Sequence, residues 1–289
     1  MNDFCLLGDS CIDFDMQEIN DKDIRLIPIN TVLDGVEYGL NRESISLDKF
    51  YELVKEGKKH TTVAANPLTY EEYFRQVLEA GKDILYIGFS SGLSSSFANA
   101  SIACENLREE FPDRRIEVVD TLAGSTQESL ILDMAYRLKA KGLDMIEIKK
   151  ILEEKIPYIW VEFVVDDLMY LQKGGRLSKG KAIIGQAMKI APILVVDKDG
   201  KISQYKNVRG RKKAISKVLK DIEENIDTSI CDEVYVSYSS NREEAEMIKK
   251  EIEDLGISKV NLYEMSLTIG AHTGPDTIVF AYASKKERE

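Results

Sequence analysis

The chain has 289 residues, of which 44% are hydrophobic and 31% are charged, and its formal net charge is −11. These values are close to those of ordinary globular proteins and exclude a disordered or fibrous chain. The negative charge disfavours general binding to nucleic acids and to anionic lipid surfaces, because such binding needs clustered cations. A chain of this length can bury a large core, and we expect two closely joined domains.

The N-terminus and the cysteines indicate the cellular compartment. The opening MNDFCLLGDSCIDFD has acidic residues where a secretory signal needs basic ones, and no stretch reaches 18 consecutive apolar residues. We therefore expect a cytoplasmic protein. The four cysteines show neither a CxxC pair nor metal-ligand spacing, which favours reduced structural thiols over a redox or zinc role. They are Cys5, Cys11, Cys104 and Cys231.

The first half of the chain predicts two consecutive β-turn-α units. The apolar run ILYIGF at 84–89 reads as a buried strand, and the serine-rich turn after it leads into a helix. A second strand at 116–120 precedes a helix at 125–141, for which Gly142 is a candidate C-cap. A further helix is expected to begin near Tyr70. Successive units of this kind predict a parallel sheet covered by helices.

The second half predicts a mixed or antiparallel sheet. Strand-like segments occur at 159–165 and 192–196, and Asp199-Gly200 is typical of a tight hairpin turn into a strand beginning at Lys201. A helix at 211–225, a strand at 233–238, a helix at 241–256 and two strands near Val260 and Ile278 follow. We place the domain boundary between 157 and 158, with an α+β domain after it.

The strand-to-helix turn at 90–96 is the first candidate site, because it holds five serines around Gly92. Free backbone N–H groups and the positive end of a helix favour a carboxylate or a phosphate there, and hydroxyls such as those of Ser91 and Ser94 add donors. The alternative is that the serines only cap the helix, which needs one of them.

Three further polar segments are candidates. Thr61-Thr62 precedes the helix near Tyr70, the paired glycines at 174–175 can aim Arg176 into a cleft, and His272 stands in an expected glycine-flanked loop. Each also has a structural interpretation as ordinary loop chemistry. A Ser/His/Asp triad has little support, and no Walker loop or GxGxxG motif occurs.

Basic residues concentrate in one part of the otherwise acidic chain. They could attract an anion or an acidic partner, although a solvated helix face is the commoner explanation of such a run. The residues are Lys173, Arg176, Lys179, Lys181, Lys206, Arg209, Arg211, Lys212 and Lys213.

Six ordered motifs over nearly the whole chain resemble the DegV family of bacterial fatty-acid-binding proteins. GDSCIDF resembles the family's DS-x-x-D, Asp34-Gly35 with Tyr38 resembles D-G-x-x-Y, and SSGLSSSFANA resembles SS-x-LSGTYQSA. The similarity continues in DDLMYLQKGGRLS, APILVVDKDGKISQYKNVRGRKKA and IGAHTGPD. The chain departs from the family where Val63-Ala64 replaces S-Q and where Ser95 replaces the glycine of LSGT.

The resemblance implies a two-domain α/β/α fold, with a Rossmann-like parallel-sheet domain at 1–157 and an α+β domain with a mixed sheet at 158–289. It also implies that a long-chain fatty acid lies in a tunnel between the domains, with no cofactor. A partner fatty acid kinase would phosphorylate the presented carboxyl group to an acyl phosphate for phospholipid synthesis, so the chain itself would not be an enzyme.

Carried over by motif position, the head group would contact Thr62, Ser94 and His272, with Ser91 and Arg176 nearby and Arg209 positioning the site or recognising the partner. Transient membrane contact is expected, since the lipid must leave a membrane. Two alternatives remain: a phosphate-handling enzyme, either a phosphatase or a phosphotransfer protein using His272, and a small-ligand sensor without a kinase partner.

Overall fold

A computed structural model describes residues 3–40, 45–177 and 190–289 of the chain. The first half forms a four-stranded parallel sheet in the order β2-β1-β6-β7 and a small antiparallel sheet in the order β4-β3-β5. Its elements are β1 (Phe4–Asp9), α1 (Met16–Asp21), β2 (Ile24–Ile27), β3 (Asn30–Leu33), β4 (Val36–Tyr38), α2 (Leu47–Lys55), β5 (His60–Val63), α3 (Pro67–Glu79), β6 (Asp83–Gly88), α4 (Ser96–Glu110), β7 (Ile116–Asp120), α5 (Thr126–Ala140) and α6 (Met145–Lys155).

The second half forms a six-stranded mixed sheet in the order β10-β9-β8-β13-β11-β12, in which only the β11–β12 pair is parallel. A 3-10 turn (Ile156–Tyr158) leads into it from α6. Its elements are β8 (Ile159–Val164), α7 (Met169–Lys173), β9 (Ile190–Val196), β10 (Ile202–Arg209), α8 (Arg211–Asn225), β11 (Glu233–Tyr238), α9 (Arg242–Asp254), β12 (Lys259–Glu264), α10 (Leu267–Thr273) and β13 (Ile278–Ala283).

The two large sheets share the helix α5. Side chains alternate along a strand, so Leu6 of β1 faces the core that includes α5, and Leu7 faces the core with α3 and α4. Every residue of 126–133 is buried, because α5 packs against the parallel sheet on one side and against β8, β11 and β13 on the other. The layers therefore run from α3 and α4 through the parallel sheet, α5 and the mixed sheet to α8 and α9.

The inner face of the mixed sheet extends beyond α5 and is covered there by other elements. Leu33 of β3 and Leu47 and Phe50 of α2 pack against Val161 and Phe163 of β8. The helix α10 joins this core through Ala271. The small sheet and α10 therefore sit where the two halves of the molecule meet.

The α/β fold class is confirmed, with a parallel sheet first and a mixed sheet second. Two details of the sequence analysis are corrected. The helix α3 begins at Pro67 rather than near Tyr70, because Asn66 accepts a hydrogen bond from the Thr69 backbone and caps it there. His272 lies on α10 and not in a loop.

Other sequence expectations can be compared with the described residues. All four cysteines are buried and unpaired, as expected of structural thiols. No helix within the three described ranges has the length and apolar character needed to cross a membrane. Lys179 and Lys181 of the predicted basic concentration lie outside those ranges.

Candidate ligand-binding cavity

A cavity of about 250 Å³ lies where the carboxyl ends of β1 and β6 meet the inner face of the mixed sheet. Open α/β sheets commonly bind ligands at this end of their strands. Most of the wall is apolar. It is lined by Ile29, Ala64, Phe89, Leu93, Val161, Phe163, Leu171, Val196, Ile202, Ile269 and Val279.

The apolar wall follows from strand geometry and one glycine. Val161 and Phe163 are two residues apart on β8 and so face the same side, and Val279 of β13 pairs directly with Phe163. Phe89 packs against Gly124, where an added Cβ would lie only 2.3 Å from the ring. Gly124 therefore allows the Phe89 ring to form part of the wall.

Polar groups collect at one part of the cavity. The Thr62 hydroxyl of β5 and His272 Nε2 of α10 are 2.8 Å apart, and both side chains line the cavity. On the other side of the His272 ring is Gly174, at which a Cβ would lie 2.2 Å from Nδ1. The imidazole is therefore held between a hydroxyl and a glycine backbone.

His272 is uncharged at neutral pH. Burial lowers its pKa to about 4, and the positive charge of Arg176 adds to this effect. One ring nitrogen then carries a proton and the other accepts. His272 can therefore serve as a hydrogen-bond donor to a ligand without bringing a second cation to the site.

Arg176 links two loops beside this histidine. Its Nε donates to the Leu93 carbonyl at 3.0 Å and its Nη1 donates to the Gly174 carbonyl at 2.6 Å. The guanidinium thus joins the end of α7 to the turn that precedes α4. It brings a positive charge to the polar end of the cavity.

The serine turn does more than cap α4. Its N-cap residue, Ser95, makes no side-chain capping bond. The Ser94 hydroxyl instead accepts from the Ser96 backbone at 3.1 Å and lies 2.9 Å from the Ser96 hydroxyl. Ser90 donates to the Gly200 carbonyl at 2.7 Å, which joins this turn to the β9–β10 hairpin. The capping-only interpretation is therefore incomplete.

A second, polar pocket of about 190 Å³ lies beyond the same side chains. It shares Thr62, Arg176 and His272 with the apolar cavity and adds His60 and Lys173. His60 is held by its Nε2 atom, which lies 3.2 Å from the Ala271 carbonyl, and by stacking on Tyr170. The three shared side chains therefore stand between an apolar cavity and a polar pocket.

The structure gathers some of the predicted site residues and not others. Thr62, Ser94, Arg176 and His272 all line the cavity. Ser91 is exposed, with its backbone N–H donating to Asp120, and it is not part of this wall. Arg209 is also exposed, at the end of β10, and lies outside the wall.

Several wall residues went unrecognised in the sequence. Phe89 and Gly124 carry no polar signal, and their contact joins the ends of two separate strands. The alternation of Val161 and Phe163 along β8 could have indicated a shared face. It could not have shown that this face borders a cavity rather than packed side chains.

These features define a class of α/β proteins that enclose an apolar cavity, with a polar end, between two sheets. The chain belongs to the DegV family. The family model, described as one of uncharacterised proteins, matches residues 4–285.

Similar proteins support this assignment over the whole chain. A DegV domain-containing protein of Streptococcus pyogenes serotype M3 is 36% identical over 289 residues, which are 99% of each chain. A solved structure of a DegV family protein from Thermus thermophilus, described by its fatty acid binding, has a TM-score of 0.85 and 26% identity and covers 98% of this chain and 100% of its own. DegV of Bacillus subtilis, described as a fatty acid binding protein, has a TM-score of 0.83 and 26% identity and covers 99% of this chain and 100% of its own.

Proposed function

We propose that this chain binds one long-chain fatty acid in the cavity, with the carboxyl group at Thr62, Ser94 and His272. The observation that carries the proposal is the apolar cavity with hydrogen-bonding groups and one arginine gathered at one end. The descriptions of the Thermus thermophilus and Bacillus subtilis relatives as fatty acid binding proteins support it.

Burial of the acyl chain supplies most of the affinity. Each buried methylene contributes about 0.8 kcal/mol, so a chain of about sixteen carbons contributes roughly 12 kcal/mol before immobilisation costs. The carboxylate opposes this gain, because an ionised group in a dry cavity is costly unless donors surround it. Thr62, Ser94 and neutral His272 would form that shell, and Arg176 would supply the balancing charge.

Presentation of the head group to a partner is the second part of the proposal. We propose that a separate fatty acid kinase reaches the carboxyl group through the polar pocket that adjoins Thr62, Arg176 and His272. The kinase would convert the carboxylate to an acyl phosphate for phospholipid synthesis, and this chain would act as the substrate-presenting subunit. Arg209 would then contribute to partner recognition or head-group positioning from outside the cavity.

The proposal includes an organisation and a location for the protein. Residues 1–157 and 158–289 would be two domains, with the ligand held between them. The protein would work in the cytoplasm and contact a membrane transiently to exchange its lipid, since a long-chain acid partitions into bilayers.

Mass spectrometry of the bound lipid tests the ligand. The protein is purified without added lipid, denatured and extracted, and the extract is analysed. We expect about one fatty acid per chain, because burial of the tail makes release slow. A lipid-free protein that also fails to take up added fatty acids would contradict the proposal.

Reconstitution tests the partner. The loaded protein is mixed with ATP and a fatty acid kinase, and the acyl phosphate is trapped with hydroxylamine. We expect hydroxamate only when kinase and carrier are both present. Phosphate release or self-phosphorylation by the chain alone would favour the phosphate-handling enzyme, and a lipid ligand without any transfer would favour the sensor.

A further inference from the structure

One face of β5 contacts consecutive residues of α10. His60 and Thr62 are two residues apart on this strand and both are half-buried, whereas the other two residues of β5 are exposed. His60 Nε2 lies 3.2 Å from the Ala271 carbonyl oxygen. The Thr62 hydroxyl lies 2.8 Å from Nε2 of His272, the next residue of α10. The two inward-facing side chains of β5 therefore hold two adjacent residues of α10.

The Ala271 carbonyl needs a donor from outside its own helix. In a continuing α-helix it would accept from the backbone N–H four residues later, but that residue is Pro275, which has no N–H. The chain also leaves the helix at Gly274, where φ is +82°. Ala271 is only 2% exposed, so water has little access to its carbonyl. The imidazole of His60 supplies the missing hydrogen bond.

The bond to Ala271 fixes the tautomer of His60. A carbonyl oxygen only accepts, so Nε2 of His60 carries the proton. Burial is the largest cause that lowers the pKa of His60, and the positive charge of Lys173 adds to it, while the hydrogen bond to Ala271 opposes it. The net shift is downward, so the ring is neutral at pH 7 and donates from Nε2.

Two aromatic rings hold His60 in place. Phe50 of α2 meets the imidazole edge-on, with 5.3 Å between ring centroids, and Tyr170 of α7 stacks on it at 6.3 Å. Tyr170 also packs against the end of α10, since a Cβ at Gly274 would lie 2.6 Å from its ring. The position of the imidazole is therefore set by α2 and α7 as well as by its own strand.

We propose that His60 is a positioning residue for the bound carboxyl group, a role that rests on the proposed fatty acid function. By holding the Ala271 carbonyl, His60 fixes the backbone that carries His272 at the cavity. His60 lines the polar pocket but is not part of the wall of the apolar cavity. It therefore acts on the head group through His272 and does not touch the acyl tail.

Loss of the His60 donor leaves the Ala271 carbonyl buried without this partner. An unsatisfied buried carbonyl is costly, so the last turn of α10 shifts to recover a hydrogen bond. His272 lies on that turn, and its displacement changes the surroundings of the carboxyl group. The apolar wall is unchanged, so affinity for the fatty acid, which depends mainly on tail burial, should stay within about threefold of the wild-type value.

NMR of bound palmitate, isotopically labelled at its carboxyl carbon, measures the surroundings of the head group directly. His60→Phe keeps a ring beside Phe50 and Tyr170 but removes the donor. His60→Gln removes the ring but can donate an N–H to the Ala271 carbonyl. We expect one carboxyl resonance for the wild type, a shifted or doubled resonance for His60→Phe, and a return to the wild-type position for His60→Gln.

Val63→Thr is the matched control on the same strand. Val63 is 46% exposed on the opposite face of β5 and lines neither the apolar cavity nor the polar pocket. Its replacement should therefore leave the carboxyl resonance at the wild-type position. If His60→Phe fails to fold, His60→Leu also keeps an apolar side chain without a donor and should give the same shift.

The outcomes separate two failures. A carboxyl resonance at the wild-type position in His60→Phe or His60→Leu, or an equally altered resonance in His60→Gln, would overturn the positioning role while leaving fatty acid binding intact. A wild-type protein that binds neither palmitate nor any other long-chain fatty acid would overturn the proposed function, and the positioning role with it.

Discussion

Thr62 and His272 form a hydrogen bond although 210 residues separate them in the chain. The position of the imidazole depends on two further residues, Gly174 and Arg176. Gly174 gives the imidazole room, and Arg176 places a positive charge beside it. Buried histidines that lose access to water stay neutral, and a neutral histidine positions a ligand through hydrogen bonds rather than through charge.

Substitution of His272 tests this role. We expect His272→Ala to lower fatty acid affinity by about tenfold or less, since one hydrogen bond contributes roughly 0.5–1.5 kcal/mol and the acyl tail still binds. Acyl phosphate formation by the kinase should fall by about a hundredfold, because misplacement of the carboxyl group reduces transfer more than binding. Binding and transfer are measured separately on the same preparation.

Thr62→Val provides a matched comparison, since it keeps the shape of the side chain but removes the hydroxyl. The same direction of change, smaller in size, is expected. Unaltered transfer by both variants would show that the Thr62–His272 pair does not position the head group.

The candidate site residues lie on short elements, and close packing determines how these elements meet. The helix α10 has only seven residues, yet it carries His272 and Thr268. The Thr268 hydroxyl donates to the Ile29 carbonyl at 2.8 Å, and Tyr51 of α2 donates to the Gly270 carbonyl at 3.1 Å. Hydrogen bonds from two other elements therefore hold this short helix in the orientation that the site requires.

The paired glycines after α7 provide a test at this scale. A Cβ at Gly174 would lie 2.2 Å from His272 Nδ1, whereas one at Gly175 would meet nothing within 4 Å. We expect Gly174→Ala to displace the imidazole and weaken head-group binding. Gly175 has a φ of +75°, so Gly175→Ala should instead cost about 1–2 kcal/mol of folding free energy.

Urea unfolding and fatty acid binding distinguish the two variants. The expected pattern is a larger binding defect for Gly174→Ala and a larger stability defect for Gly175→Ala. The opposite pattern would mean that the histidine does not depend on the close approach of this backbone.

At the scale of the whole molecule, buried polar groups connect layers that are far apart in sequence. Asp13 accepts from the Ser266 backbone at 2.8 Å and from the Ser125 hydroxyl, so one carboxylate joins the loop after β1 to the N-termini of α5 and α10. Such networks stabilise one arrangement of the layers only when every member is satisfied.

The mixed sheet contains a buried acid that makes stability depend on pH. Burial, with the charge of Asp221, raises the pKa of Glu162 to about 7. The folded protein then binds a proton that the unfolded chain releases near its ordinary pKa of 4.5, so stability is lost as pH rises from about 4.5 to about 7. The loss should approach about 3 kcal/mol above this range.

Glu162→Gln removes this dependence while keeping an oxygen that accepts from Tyr282. We expect the stability of the variant, relative to that of the wild type, to increase from pH 5 to pH 8. Urea unfolding at each pH measures this change. Glu153→Gln, on the exposed side of α6, serves as the control and should show no such gain. If Glu162→Gln and Glu153→Gln were equally stable at pH 8, the raised pKa of Glu162 would be refuted.

The residues near the C-terminus fasten the second half of the molecule to the cavity. Arg288 is 6% exposed, and its Nη1 donates to the Leu122 carbonyl at 2.6 Å, beside the loop that holds Gly124 and Ser125. Arg288→Ala should reduce the free energy of unfolding by about 1–3 kcal/mol, because a buried carbonyl loses its partner.

Fatty acid retention should decline with that loss, since the loosened loop is part of the cavity wall. Lys285→Ala is the control, because Lys285 is exposed and donates at 3.3 Å to the Glu224 carbonyl, and its effect should be within about 0.5 kcal/mol. A negligible effect of Arg288→Ala on urea unfolding would show that the Leu122 carbonyl is solvated.

Local sequence patterns determined most of the secondary structure. The apolar run before Ser90 and the segment IEVVD form β6 and β7, and the Asp199-Gly200 turn joins β9 to β10 as an antiparallel hairpin. These features depend on neighbours in the chain, which is why periodicity and turn chemistry reveal them. Glycine and serine motifs likewise indicated Thr62, Ser94, Arg176 and His272, through resemblance to a family rather than through geometry.

The tertiary structure alone decided which of these groups meet. Only packing brings Phe89 against Gly124 and separates Ser91 and Arg209 from the cavity. The N-terminal half of α5, buried over 126–133, has no amphipathic pattern that would have revealed its place between two sheets, because both of its sides face protein. Contacts between distant segments depend on the shape of the whole chain, and local patterns do not encode them.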